Sequence, residues 1–145
     1  MIVTDEPYLV LGFLRDKGVT IQYPGSCVTI GYLNSEGDII GGVAFYNANS
    51  NNVYADGALD GGHAPHKFAR LCLWYAFGQL KVKRLTFMIA ASNIKSINLV
   101  EKLGAYREAT LQDGCSEGDQ HIYCLRPERC PYWSILYGKR RRIST

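Results

Sequence analysis

The strongest local signal for binding a charged group lies in Asp60-Gly61-Gly62-His63-Ala64-Pro65-His66-Lys67, where a glycine-rich break runs into an apolar, helix-like stretch. Pro65 suits a first helical position, because the N–H it lacks would be unpaired there anyway. Such a turn aims free backbone N–H groups and the positive end of a helix at one point, a setting for a phosphate, and Lys67 and Arg70 add positive charge within two turns. The same residues also make an ordinary turn. Neither G-x-G-x-x-G nor G-x-x-x-x-G-K-[ST] is present. Asn93 stands before a second apolar-periodic stretch as a helix N-cap. The five cysteines (Cys27, Cys72, Cys115, Cys124, Cys130) are odd in number and include no C-x-x-C pair. Reduced thiols are expected, and no zinc site is expected from them with His63, His66 or His121. No spacing points to a Ser-His-Asp or Cys-His nucleophile.

The elements that must position these residues follow from periodicity. Asp5 to Lys17 reads as a helix with Leu9, Phe13 and Leu14 on one face and Gly18 at its C-terminal cap. Cys27 to Leu33 and Ile39 to Tyr46 read as strands of a hairpin across Asn34-Ser35-Glu36-Gly37-Asp38, and Val53 to Leu59 as a third strand. A helix from about Pro65 to Leu80 places Phe68, Leu71, Cys72, Tyr75 and Ala76 on one face, with Leu73, Trp74 and Phe77 widening it, so packing on more than one side is expected. Arg84 to Ala90 reads as a buried strand. Asn93 to Leu103 reads as an amphipathic helix closed by Gly104, a position that tolerates left-handed geometry. Ala105 to Gln112 and His121 to Arg126 are two more strands joined by a loop over 113–119, and 130–137 is expected to hold a short helix. This order predicts a mixed α/β, layered α+β fold: a central mixed sheet with helices on both faces, the unit 53–90 forming a right-handed parallel crossover.

The chain has 145 residues, 47% of them hydrophobic and 20% charged, which suits one domain with a real core over 1–137 and a basic tail over 138–145. Residues 1–125 hold 10 Lys and Arg against 12 Asp and Glu, whereas the last 20 hold 6 against 1, so the net charge of +3 sits in the tail. Lys139-Arg140-Arg141-Arg142 reads as a solvated terminus, or as a contact for nucleic acid or an acidic partner. No apolar run reaches the ~20 residues that span a bilayer, and the start lacks a basic-then-apolar leader pattern, so a cytoplasmic protein without membrane contact is expected.

Arg84 to Glu108 carries a sharper signal. A strand, then Asn93-x-x-Ser96, then a helix ending Glu101-Lys102-Leu103-Gly104, then a strand with Arg107-Glu108 resembles the second half of the GNAT N-acetyltransferase superfamily. The N-x-x-S form is similar to the branch that includes the ribosomal-protein alanine acetyltransferases. Residues 119–133 are similar to the C-terminal end of small GNAT-like proteins of phages and prophages. The resemblance covers 63–108 well and 39–133 loosely. Ala105 replaces a usual aromatic residue and Ala109 a usual glycine.

The resemblance implies the GNAT acyl-CoA N-acyltransferase fold, with acetyl-CoA as co-substrate and a primary amine as acceptor: a protein N-terminus, a lysine or a small amine. A phage protein modifying a host target in the host cytoplasm, and assembly as a homodimer, are within its scope. Strands 53–59 and 84–90 are expected to splay and admit the pantetheine arm. Gly62, His66, Lys67 and Arg70 would hold the pyrophosphate, and Asn93 and Ser96 the arm, Asn93 capping its helix at the same time. The family's phosphate loop usually carries a second glycine, and here Pro65 removes a donor that Lys67 offsets as a point charge. Asp56, His63 and Glu108 are the candidate bases for the attacking amine, Asp56 first because it sits on the flanking strand. Val100 occupies the place of the tyrosine that usually protonates the leaving thiolate, with Tyr106 and Tyr123 as substitutes or plain strand aromatics. The other reading is a GNAT-fold binding module, catalytically weak or inactive, that acts on a host protein or nucleic acid.

Overall fold

The computed structural model describes residues 1–19, 21, 24–61 and 65–133. Helix α1 (Pro7–Asp16) buries Val10, Phe13 and Leu14, an i, i+3, i+4 stripe. Leu9, expected on that face, is 40% exposed, because Val10 takes the inward position. The stripe packs with Ala44 in a cluster on one side of the sheet. The chain leaves α1 through Gly18 at φ 86°, a left-handed cap that glycine adopts without Cβ strain.

Strands β1 (Ile2–Val3), β2 (Val28–Leu33), β3 (Ile39–Tyr46), β4 (Asn52–Leu59), β5 (Arg84–Ala90), β6 (Tyr106–Cys115) and β7 (Gly118–Leu125) form one sheet in the order β1-β2-β3-β4-β5-β7-β6. Neighbours are antiparallel except β4 and β5, which are parallel, as the crossover requires. The two-residue β1 was too short for its alternation to register.

Helix α2 (His66–Leu73) carries β4 back to β5, and α3 (Ile94–Lys102) follows β5. Both feed the larger core: Phe68 and Leu73 of α2, Ala76 and Phe77 beyond it, Val100 of α3, and Phe45, Val53, Ala55, Leu85, Ile89 and Tyr123 from the sheet. Helices therefore cover both faces, α1 on one and α2 with α3 on the other. The single long helix expected to Leu80 is instead α-helical to Leu73 and widens into a π-helix over Trp74–Gln79, marked by the bond from Leu80 N–H to the Tyr75 carbonyl. The widening falls where both indoles press on Gly78: a Cβ there would lie 2.8 Å from Trp74 and 3.3 Å from Trp133.

The loop expected over 113–119 is largely strand. β6 runs on to Cys115 and β7 restarts at Gly118, with the register shifting between Leu111 and Cys115. Asp113 adopts φ 52° there and its N–H donates to the Asp119 carboxylate at 3.0 Å, so the polar residues that suggested a loop form a bulge. Gly104 closes α3 at φ 105°, and a Cβ would fall 2.4 Å from the Arg129 carbonyl oxygen. Among the described residues no helix is long and apolar enough to cross a membrane. Residues 131–133 are helical, within the short helix expected over 130–137, and the rest of that helix and the basic tail lie outside the described residues.

Candidate active site

The parallel strands β4 and β5 pair over three positions only, Asn52 with Arg84, Val53 with Leu85 and Tyr54 with Thr86. Beyond Tyr54 and Thr86 they part, as the resemblance implied. β5 then keeps β7 as its neighbour to Ala90, and β4 keeps β3 to Leu59. The edge of β4 facing the gap therefore presents backbone N–H and C=O groups with no strand opposite, and such groups call for a partner.

Side chains fix the point of divergence. The buried Thr86 hydroxyl donates to Asn52 Oδ1 at 2.6 Å and accepts from Arg84 Nε at 3.1 Å. Arg84 Nη1 donates to both Glu108 oxygens at 3.0 Å. Glu108 is thus tied to Arg84 beside the paired end and is not among the residues that line the cleft. Its position follows from a bulge: β6 shifts register between Arg107 and Ala109, leaving Glu108 as the extra residue.

The gap opens into a cleft of about 420 Å³. Its walls include Asp56 to Leu59 of β4, Phe87 to Ala90 of β5, Phe68, Ala69 and Cys72 of α2, and Asn93, Ser96 and Val100 at and along α3. Gly18 and Val19 beyond α1, with Ser116 and Glu117 of the β6–β7 turn, also border it. The wall is mostly apolar, and its charged side chains among the described residues are Asp56 and Glu117, both acidic. The cations stand outside: Lys67 and Arg70 are exposed on the first two turns of α2. His66, also exposed, faces the Tyr132 ring at 6.2 Å. The start of α2, preceded by Pro65, has no side-chain cap among the described residues, and the first N–H groups of a helix suit an anion. Gly61 adopts φ 77°. Gly62 and His63, two of the predicted site residues, lie outside the described residues.

At the end of β5, Asn93 caps α3 with Oδ1 accepting from the Ser96 N–H at 3.3 Å. That leaves the Asn93 amide NH₂ and the Ser96 hydroxyl on the cleft wall without a partner among the described residues. Val100 lies on the same wall and has no proton to give. The two tyrosines considered as its substitutes are engaged elsewhere. Tyr123 is buried and donates to Glu101 Oε1 at 3.1 Å. The Arg129 guanidinium lies over the Tyr106 ring at 4.6 Å. Cys72 is held as a neutral thiol, burial pushing it up to about 12.

Asp56 is the titratable group on the wall with a built environment. Burial raises its carboxyl above the ordinary range, and the hydrogen bond from Tyr46 opposes that rise. Tyr46 Oη donates to Asp56 Oδ2 at 2.9 Å. Tyr46 carried no functional signal in the sequence, where it is only the last residue of a strand. The β3–β4 register, which sets Ala44 opposite Asp56 and Tyr46 opposite Tyr54, places it there. Glu117 was also missed, because its segment read as a loop.

No family model matches the chain, and no curated protein matches it in sequence. Solved structures do. A variant of spermidine N-acetyltransferase from Vibrio cholerae superposes with a TM-score of 0.67 at 14% identity, over 87% of this chain and 94% of that one. Ribosomal-protein-S5-alanine acetyltransferase from Vibrio fischeri gives 0.61 at 15% identity, over 80% and 66%. A GNAT-family acetyltransferase from Bacillus anthracis gives 0.59 at 17% identity, over 69% and 66%. The chain has the fold of the GNAT acetyltransferases.

Proposed function

We propose that this protein is an N-acetyltransferase that moves acetyl from acetyl-CoA to a primary amine by direct attack. One observation carries the reading: two parallel strands pair for three positions and then part onto a cleft, with a carboxylate of raised pKa on its wall. Acetyl-CoA supplies the activated thioester. The free edge of β4, the Asn93 amide and the Ser96 hydroxyl offer donors and acceptors for the amides of its pantetheine arm. The start of α2, with His66, Lys67 and Arg70, receives its phosphates. Placing cations outside the cleft and carboxylates on its wall suits a co-substrate anionic at one end and an acceptor that enters as an ammonium ion.

Asp56 acts as the base. It takes one proton from the acceptor ammonium, directly or through one water, and passes it to solvent. The freed nitrogen lone pair bonds to the thioester carbonyl carbon. Collapse of the tetrahedral adduct breaks the C–S bond, and the second nitrogen proton leaves with the thiolate as CoA thiol. The thiol is a fair leaving group, so Val100 in place of an acid is compatible with turnover. No enzyme thiol is needed as nucleophile, in keeping with the raised pKa of the half-buried Cys72 and the buried Cys130.

The acceptor is a protein N-terminus, a lysine or a small amine. The phage-like resemblance of residues 119–133 favours a host protein. Incubation with labelled acetyl-CoA, first with a panel of primary amines and then with bacterial lysate, is expected to give a labelled amide product and free CoA. Absence of label from every acceptor would count against acetyl transfer.

A further inference from the structure

We infer that Tyr46 is a positioning residue for Asp56: its hydroxyl fixes one carboxylate oxygen at the cleft wall and leaves the other turned to the acceptor's proton. The inference rests on Asp56 being the base. Tyr46 Oη donates to Asp56 Oδ2 at 2.9 Å, whereas Oδ1 has no partner among the described residues. Both residues stand on the β3–β4 hairpin, two register positions apart on one face. The base and its holder therefore belong to one antiparallel unit that stays paired along the whole gap. Tyr54, directly across from Tyr46, stacks on its ring with centroids 5.6 Å apart and planes 18° apart, which restrains the phenol.

Among the described residues few groups surround Asp56, and the other carboxylate on the cleft wall is Glu117 of the β6–β7 turn. Tyr46 comes from β3 and Tyr54 from β4 itself, while Cys27, just before β2, is near enough to feel the Asp56 charge. From the α1 side the cleft wall is Gly18 and Val19, which do not titrate. No Lys, Arg or His among the described residues pairs with Asp56. In place of a cation, a neutral donor holds the carboxylate. Burial and the adjoining Asp56 push the Tyr46 phenol well above its ordinary range, so it keeps its proton and remains a donor at any pH where the protein works. A neutral donor steadies the charged carboxylate without cancelling the negative charge that draws in an ammonium ion.

Tyr46→Phe keeps the ring and its stack and removes only the donor. Losing a hydrogen bond to a charged group corresponds to roughly one pH unit or more. The acid limb of kcat/KM is expected to move up by about that amount. The carboxyl titration of Asp56, followed by ¹³C NMR, should move with it, and acetyl-CoA affinity should stay unchanged. At a pH below the wild-type limb this is about a tenfold loss of kcat/KM. A purely structural role would lower activity at every pH and leave the limb where it was. An Asp56 titration that is the same in wild type and Y46F would overturn the inference. Asp56→Asn separates the two levels. If D56N is inactive and Y46F is unshifted, only the positioning role fails. If D56N keeps the wild-type kcat/KM, the base assignment fails and takes this inference with it.

Discussion

Asp56 holds its charge at the expense of the fold. Burial raises its carboxyl above the value of about 3.9 it has in the unfolded chain, so folding favours the protonated form. The stability it contributes is complete below that value and is lost as the pH climbs through the folded-state value. At neutral pH Asp56→Asn, which keeps an oxygen for the Tyr46 hydroxyl, is expected to raise Tm by a few degrees. The same substitution is expected to lower kcat/KM by ~10²–10⁴, the usual worth of a positioned base. Thermal unfolding and steady-state rates on one preparation check both, and a fall in Tm at pH 7 would contradict the electrostatic account. The sequence shows Asp56 on the correct strand but gives no hint of its partner. A hydrogen bond between residues ten apart depends on hairpin register, and the asparagine-rich loop over 47–52 does not fix that register by composition. Glu108 shows the converse. Its place just after the Gly104 closure made it a candidate, and a single bulge turned it to Arg84.

The fork between β4 and β5 is the element on which the site depends. Asn52, Thr86, Arg84 and Glu108 form one chain of hydrogen bonds across its closed end. Thr86→Val keeps the shape and removes the hydroxyl, leaving Asn52 Oδ1 and Arg84 Nε unpaired beside a buried position. The expected cost is about 1–3 kcal/mol, or a Tm lower by ~2–4 °C for each kcal/mol in a chain of this size. Acetyl-CoA affinity should weaken as well, because the same bonds set where the strands diverge. Unchanged affinity with a lowered Tm would assign the network to stability alone. The strands themselves were legible: β3 and β5 have the expected bounds, and β4 differs by one residue at its start. The parallel crossover was legible too, from a helix lying between two strands. What was not legible came from contacts distant in sequence. The π-helix falls where Trp74 and the distant Trp133 both crowd Gly78, and the extension of β6 and β7 goes with a bulge that absorbs Asp113 and Gly114.

Over the whole molecule, charge sorts into a basic helix start and an acidic cleft wall. Lys67 and Arg70 are exposed, so each contributes modestly and in a salt-dependent way. The double substitution Lys67→Ala with Arg70→Ala is expected to weaken acetyl-CoA binding by about tenfold at low salt and less at high salt, with kcat little changed. An affinity insensitive to both charges would move the phosphates away from α2. The fold was readable from the order of elements together with Asn93, Ser96 and Gly104, all in one local stretch. The splay of β4 from β5 was expected from the resemblance alone, whereas the residues that wall the cleft from α2 and the β6–β7 turn come together only once the sheet has formed.

Calorimetric titration of the full chain with acetyl-CoA tests the central claim most directly. The account predicts saturable one-to-one binding, retained in D56N because Asp56 serves the acceptor and not the nucleotide. No heat of binding up to millimolar acetyl-CoA would contradict it, leaving a GNAT fold that does something other than acetyl transfer.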